Sequence, residues 1–235
     1  SRTGTAARPG GGGLLGGTFS PAGRSAAMAA LRERAAALAP RPEPLLILGE
    51  SGTGRSVLAR YVHGRTDTGE RPFVARAAAA IPDDNAAQLL LGADTPAGAE
   101  PGLLEQAAGG TLYLSDLQQL GPAGQKLLAG VLGQKSWAPL GRAAEIPLTA
   151  RLITSAQPDG VETLLPDLLS RVNVLELRVP PLRDRTDDVP DLLRATVERL
   201  VDAEHLGFRR FSLAAQNRLR SYAWPGNVRE LETLV

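Results

Sequence analysis

Short apolar runs alternate with amphipathic stretches along most of this chain. Leu45–Leu48 is an unbroken apolar run of strand length, and Phe73–Ala75, Leu112–Leu114, Leu152–Thr154 and Val174–Leu177 repeat the pattern. Helix-like stretches separate several of these runs. The alternation predicts an α/β fold, a mostly parallel sheet flanked by helices. Met28, Leu31, Ala35 and Leu38 recur at helical spacing, which predicts an amphipathic helix over Arg24–Leu38 that Pro40, Pro42 and Pro44 terminate. After Pro180-Pro181 the pattern becomes helical, with predicted helices at Asp187–His205, Ser212–Tyr222 and Asn227–Val235. The expected organisation is a Gly-rich linker or cloning remnant at 1–18, an α/β domain at 19–178 and a small α-helical lid at 179–235. The helical pattern is still running at Val235, so the natural chain is expected to continue. No internal repeat is visible.

Composition narrows the class. The chain has 235 residues, of which 43% are apolar, and a net charge of +1. That suits a folded globular module rather than a disordered one. It gives no overall electrostatic case for nucleic-acid binding, so any DNA contact would need a local patch or a further domain. Absence of cysteine excludes disulfide and thiolate chemistry and is compatible with a cytoplasmic setting. No run approaches the ~18 apolar residues of a membrane span, and no signal peptide is visible, so no membrane partner is expected. Lysine occurs only at Lys126 and Lys135, while arginine is abundant.

Chemistry concentrates between the first predicted strand and the helix after it. Gly49-Glu50-Ser51-Gly52-Thr53-Gly54-Arg55-Ser56 has the spacing of a phosphate-binding loop except at one position. Glycines let successive backbone N–H groups curl around phosphate oxygens, and the following helix adds the positive end of its dipole. The Ser56 hydroxyl could ligate Mg²⁺. Lysine ordinarily supplies a compact charge at the outer phosphates, whereas Arg55 is larger and planar. Two readings of Arg55 stay open: compositional drift with binding retained, or weakened nucleotide binding.

Further motifs follow in order: Arg71-Pro72-Phe73-Val74, Ala79-Ala80-Ile81-Pro82, Gly109-Gly110-Thr111-Leu112-Tyr113-Leu114, Pro180-Pro181-Leu182-Arg183-Asp184-Arg185 and Trp224-Pro225-Gly226-Asn227-Val228-Arg229-Glu230-Leu231. From Phe19 to Val235 the chain resembles the AAA+ central domain of bacterial enhancer-binding proteins, the NtrC-type activators of sigma-54 RNA polymerase. The resemblance implies a ring-forming ATPase, often in a two-component system, that binds ATP or ADP with Mg²⁺. It also implies a receiver or sensor domain before the module and a DNA-binding helix-turn-helix domain after it, neither of which is in this sequence.

The resemblance assigns candidate roles and shows where this chain departs from the family. Its paired Walker B acids fall at Ser115 and Asp116, so one acidic function is missing; Asp116 remains the candidate catalytic and metal-binding carboxylate, beside Ser56 as metal ligand. The Asn that restrains the catalytic acid falls at Ala77, and the strand-end sensor Asn at Gln157. Of two arginines that reach a neighbouring subunit's nucleotide, one is kept as Arg171 and the other falls at Leu165. Arg229 matches the lid's nucleotide-contacting arginine. The loop carrying Gly-Ala-Phe-Thr-Gly-Ala is shortened here to Ala93–Pro101, with Thr95-Pro96-Ala97-Gly98-Ala99 a faint echo that lacks an aromatic residue.

The expectation is therefore a nucleotide-responsive homo-oligomer, anywhere from a dimer to a hexamer ring, with weak or absent hydrolysis. It would act with RNA polymerase carrying a sigma factor other than sigma-54. A working polymerase-remodelling ATPase and a nucleotide-free oligomerisation scaffold are the alternatives. His63 and His205 lack metal-ligand spacing, Trp137 and Trp224 are expected to pack, and Asp184, Asp187 and Asp188 read as helix N-terminal charge.

Overall fold

A computed structural model of the chain describes residues 20–66, 70–96, 98–204 and 211–235. The expected linker at 1–18 and His205 lie outside the described residues.

Five parallel strands form the central sheet: β1 (Leu45–Leu48), β2 (Phe73–Ala77), β5 (Thr111–Ser115), β8 (Arg151–Ala156) and β9 (Leu175–Arg178), in the order β2-β5-β8-β1-β9. The four apolar runs after β1 thus became strands, each longer or shifted by a residue or two. Strand periodicity divides the side chains between two cores. Leu45, Ile47, Tyr113, Ile153 and Leu177 point to one face, covered by α1 (Ala26–Leu38) and α2 (Arg55–His63). Leu112, Leu114 and Leu152 point to the other. There they meet α3 (Ala86–Leu91), α4 (Leu103–Gln106), α5 (Pro122–Gln134) and α6 (Pro166–Val172).

Helix boundaries follow local chemistry. Ser25 caps α1 by accepting from the Met28 amide at 3.3 Å. The far end of α1 is held from another strand: Arg151 donates to the carbonyls of Leu38 at 3.1 Å and Ala39 at 2.7 Å. Burial pushes the Arg151 pKa down to about 10.

Three further helices, α7 (Val189–Glu204), α8 (Leu213–Arg220) and α9 (Asn227–Leu234), pack around Leu182, Leu192, Leu193, Trp224 and Leu231. Trp224 is buried at 1% exposure and donates to the Leu219 carbonyl at 2.9 Å, so its packing role holds. Trp137 is likewise buried. The Asp184–Asp188 cluster resolves unevenly. Asp188 is fully buried and accepts from the Ser25 amide at 2.7 Å and its hydroxyl at 2.8 Å, tying the start of α1 to the helical layer.

Two small ladders are not visible as strand runs in the sequence. β3 (Gly92–Thr95) and β4 (Gly98–Pro101) pair antiparallel, with Thr95 opposite Gly98. β6 (Ser136–Trp137) pairs with β7 (Ile146–Pro147). The shortened segment is therefore a tight hairpin rather than an open loop. Its first strand is braced near the turn by an Asp94–Arg142 ion pair at 3.0 Å and a hydrogen bond from the Asp94 amide to the Leu140 carbonyl at 2.8 Å.

Candidate functional site

The loop Gly49–Ser56 joins β1 to α2 at the carboxyl edge of the sheet, where parallel α/β sheets place their ligands. Gly52 (φ 77°) and Gly54 (φ 100°) adopt left-handed backbone that other residues rarely take. A Cβ on Gly54 would meet nothing within 4 Å, so the loop opens into free space there. A Cβ on Gly52 would instead collide with the Gly226 carbonyl, because the start of α9 lies directly against the loop.

The helical layer grips the loop through Glu50. Arg183 donates to both Glu50 oxygens at 2.8 and 2.6 Å, and Asn227 donates to the same carboxylate at 3.2 Å and to the Ser51 carbonyl at 3.0 Å. These bonds, Arg183 first, hold the Glu50 carboxyl below its ordinary pKa. Asn227 also accepts from the Leu182 amide at 2.8 Å. Arg185 donates to the Thr53 carbonyl at 3.1 Å, and burial pushes its pKa down against the opposing pull of Asp188. Arg229 donates to the Ser51 hydroxyl at 3.3 Å, so the expected lid arginine does reach the loop.

Two adjoining cavities lie between the layers. The first, ≈ 220 Å³, is mostly apolar, with Pro21, Leu31, Val57, Val179 and Leu192 in its wall. The second, ≈ 230 Å³, is polar, with Arg55, Ser56, Tyr113, Ser115, Asp116 and Arg229 in its wall. Gly54, Val57, Val228 and Glu232 border both. An apolar slot continuous with a polar one beside a glycine loop has the shape and chemistry for a nucleotide, base in the first and phosphates in the second.

The polar compartment holds an arrangement the sequence does not reveal. Arg55 is buried at 7% side-chain exposure, and its Nη2 donates to Asp116 at 2.6 Å. Asp116 follows the end of β5 in left-handed conformation (φ 54°), which an aspartate tolerates. Arg55 Nη1 is buried with no hydrogen-bond partner among the described residues. A buried guanidinium nitrogen left unbonded is costly; a phosphate oxygen would satisfy it. Ser56 is engaged too. Its hydroxyl lies 3.2 Å from the Tyr113 hydroxyl, which lies 3.0 Å from that of Ser155. Ser155 in turn accepts from the Asp116 amide at 3.3 Å.

These residues fit a nucleotide polyphosphate and do not fit a protein-held magnesium ion. Both expected metal ligands are already engaged, the Ser56 hydroxyl with Tyr113 at 3.2 Å and Asp116 through Oδ1 with Arg55 at 2.6 Å. Ser115 offers a neutral hydroxyl where a hard cation favours a carboxylate. Among the described residues no group of three His, Cys, Asp or Glu side chains converges as a metal site. His63 pairs with the Thr111 hydroxyl at 2.9 Å and packs on Phe73, away from any such site.

The remaining candidates stand around this centre. Ala77 lies opposite Ser115 in the β2–β5 register, so it brings only a methyl group to the strand ends. Gln157 follows β8 beside the loop, since the Gly49 amide donates to the Ala156 carbonyl at 3.3 Å. Arg171 lies on α6 and pairs with Asp167 at 2.9 Å. Leu165 packs against the core that α5 and α6 share. Sequence reading missed Tyr113, Ser155, Arg183 and Arg185 as site residues; the strand alternation that aims Tyr113 at the α2 face was the available signal for the first.

Fold and site together define a P-loop AAA+ module, an α/β nucleotide-binding core capped by a helical lid. The chain belongs to the sigma-54 interaction domain family: that family's model matches residues 22–178, and the AAA+ ATPase lid domain matches residues 183–235. It is 39% identical over 223 residues to the DNA-binding transcriptional regulator NtrC of Rhizobium meliloti, covering 91% of this chain and 46% of that protein. It is 36% identical over 223 residues to the response regulator protein PilR of Pseudomonas aeruginosa, covering 91% and 50%. Among solved structures, NtrX of Brucella abortus in complex with ADP superposes with a TM-score of 0.85 at 28% identity, over 93% of this chain and 51% of that one. NtrX in complex with ATP gives 0.83 at 28% identity, over 90% and 48%. The chain spans about half the length of the curated relatives it matches. Among the described residues no helix is long and apolar enough to cross a membrane.

Proposed function

We propose that this chain is the nucleotide-responsive assembly module of a bacterial transcription regulator. It binds ATP or ADP between an α/β domain ending near residue 178 and the helical lid, self-associates, and hydrolyses slowly or not at all. The Arg55–Asp116 pair carries this reading. A carboxylate that polarises water must be free to orient toward it, and this one is tied through Oδ1 at 2.6 Å to a buried guanidinium. Ser115 cannot replace a second acid, and Ala77 cannot restrain one. A misplacement of about 1 Å at such a centre costs on the order of 10²-fold in rate.

Support for nucleotide binding comes from the paired cavities, the open face at Gly54 and the unsatisfied Arg55 Nη1. The likeness to NtrX, solved with both ADP and ATP, agrees. Arg171 would face a neighbouring subunit's nucleotide once its Asp167 pair opens, and Gln157 would contact the nucleotide from β8. In the whole protein the module acts in the cytoplasm with a DNA-binding domain. Its short β3–β4 hairpin, without an aromatic tip, supports loss of the usual sigma-54 contact; the partner polymerase would then carry another sigma factor.

A second reading, a working ATPase, draws on Asp116 itself, a carboxylate lining the phosphate compartment. Titration with a fluorescent ADP analogue tests the common ground. Saturable micromolar binding, strongly weakened by Gly54→Val, is expected, because valine strains the left-handed φ and fills the open face. No saturable binding would leave only a nucleotide-free scaffold.

A further inference from the structure

The polar compartment presents a buried cation with one free arm, one carboxylate already neutralised by that cation, and the expected metal-binding hydroxyl held by a tyrosine. We propose that this site takes the nucleotide polyphosphate without a divalent cation. Arg55 serves as its counter-ion, and Tyr113 keeps the Ser56 hydroxyl from a metal. The proposal rests on the nucleotide-binding reading above and adds its ionic requirement.

Three observations carry it. The first is the geometry of the guanidinium. Nη2 is bonded to Asp116, while Nη1 is buried and without a partner among the described residues. The planar fork directs these two arms differently, so a phosphate oxygen can be met by Nη1 while Nη2 keeps the carboxylate. Phosphate binding then need not release Asp116 to a metal.

The second is the hydroxyl chain beneath the loop. Tyr113 is 2% exposed and Ser155 1% exposed, so both are largely withdrawn from bulk water. Ser56 sits 3.2 Å from Tyr113, Tyr113 3.0 Å from Ser155, and Ser155 accepts from the Asp116 amide. Drawing Ser56 toward a cation would strip the Tyr113 hydroxyl of one partner, which a buried network resists. Strand alternation fixes this placement: Tyr113 lies between Leu112 and Leu114, which face the opposite core.

The third is the donor set. Mg²⁺ bound with phosphates ordinarily keeps one or two protein carboxylates near it. Asp116 lines the compartment beside the loop, and its Oδ1 is paired with Arg55 at 2.6 Å. Glu232, at the far border of the compartment, is paired with Arg199 at 3.0 Å.

The test is a titration of the chain with ADP and with ATP, by calorimetry, in buffer containing magnesium and in the same buffer containing EDTA. The Kd for each nucleotide is expected to agree within about twofold between the two buffers. Tyr113→Phe keeps the ring and frees Ser56; it is expected to make magnesium tighten ATP binding by about fivefold or more. Arg55→Lys is expected to weaken binding in EDTA more than in magnesium. Each comparison is a ratio on one protein in two buffers, so a modest loss of folded material cancels. Tenfold or greater weakening of the unaltered chain in EDTA would overturn the proposal and leave nucleotide binding standing. No binding in either buffer would overturn both.

Discussion

Replacing Asn227 with alanine should unlatch the lid from the phosphate loop. Asn227 is fully buried and sits in left-handed backbone at φ 53°. Its side chain accepts from the Leu182 amide at 2.8 Å and donates to Glu50 at 3.2 Å and to the Ser51 carbonyl at 3.0 Å. Alanine would orphan the buried Leu182 amide, which costs ~1–3 kcal/mol, and remove a bond to a charged acceptor, which contributes ~1.5–3 kcal/mol. Left-handed backbone adds about 1 kcal/mol, since alanine lacks asparagine's tolerance for it. The sum is roughly 3.5–7 kcal/mol, and at ~2–4 °C per kcal/mol for a chain of this size the Tm should fall by about 7 °C or more. Melting followed by circular dichroism reads the global loss, and hydrogen exchange at the Leu182 amide reads the local one. A Tm within about 2 °C of the unaltered chain, with Leu182 still protected, would refute the latch.

Glu50 should make the latch acid-sensitive. Its folded pKa lies below the ordinary value of 4.5, so its contribution is fully present above that value and is lost as pH falls through the folded pKa. Denaturant titrations from neutral pH downward should therefore show the unaltered chain losing its advantage over Glu50→Gln in acid; a gap independent of pH would contradict this. Arg171→Ala should change stability by less than about 0.5 kcal/mol, because the Asp167 pair is an exposed i,i+4 bridge. The same substitution should reduce nucleotide-dependent self-association measured by sedimentation, and unaltered assembly would remove Arg171 from the interface.

How much could be read from the sequence depended on the range of each interaction. Gly49–Ser56 was legible because a phosphate loop is one contiguous stretch whose spacing is its chemistry. The three central strands, β1, β5 and β8, were legible because both their faces are buried, which leaves apolar runs such as Leu45–Leu48; the edge strands β2 and β9 showed only short runs. Arg55–Asp116 was not, since the partners are 61 positions apart and the pairing depends on the left-handed turn at Asp116. Glu50 read as part of the phosphate loop, yet its carboxylate accepts from Arg183, 133 positions away. The β3–β4 hairpin escaped notice because its strands are four residues each and rich in Gly, Ala and Pro, with too little alternation to register. Tyr113 read as one more apolar strand residue; only the fold shows its hydroxyl under Ser56.

Phosphate release from ATP by the purified chain, at concentrations where it self-associates, tests the blunted centre most directly. Turnover close to the no-protein background is expected. Ser115→Asp with Asp116→Glu should raise it only in part, because Ala77 and Leu165 still lack the amide and the second arginine. Turnover well above background in the unaltered chain, abolished by Asp116→Ala, would contradict the proposed loss of hydrolysis.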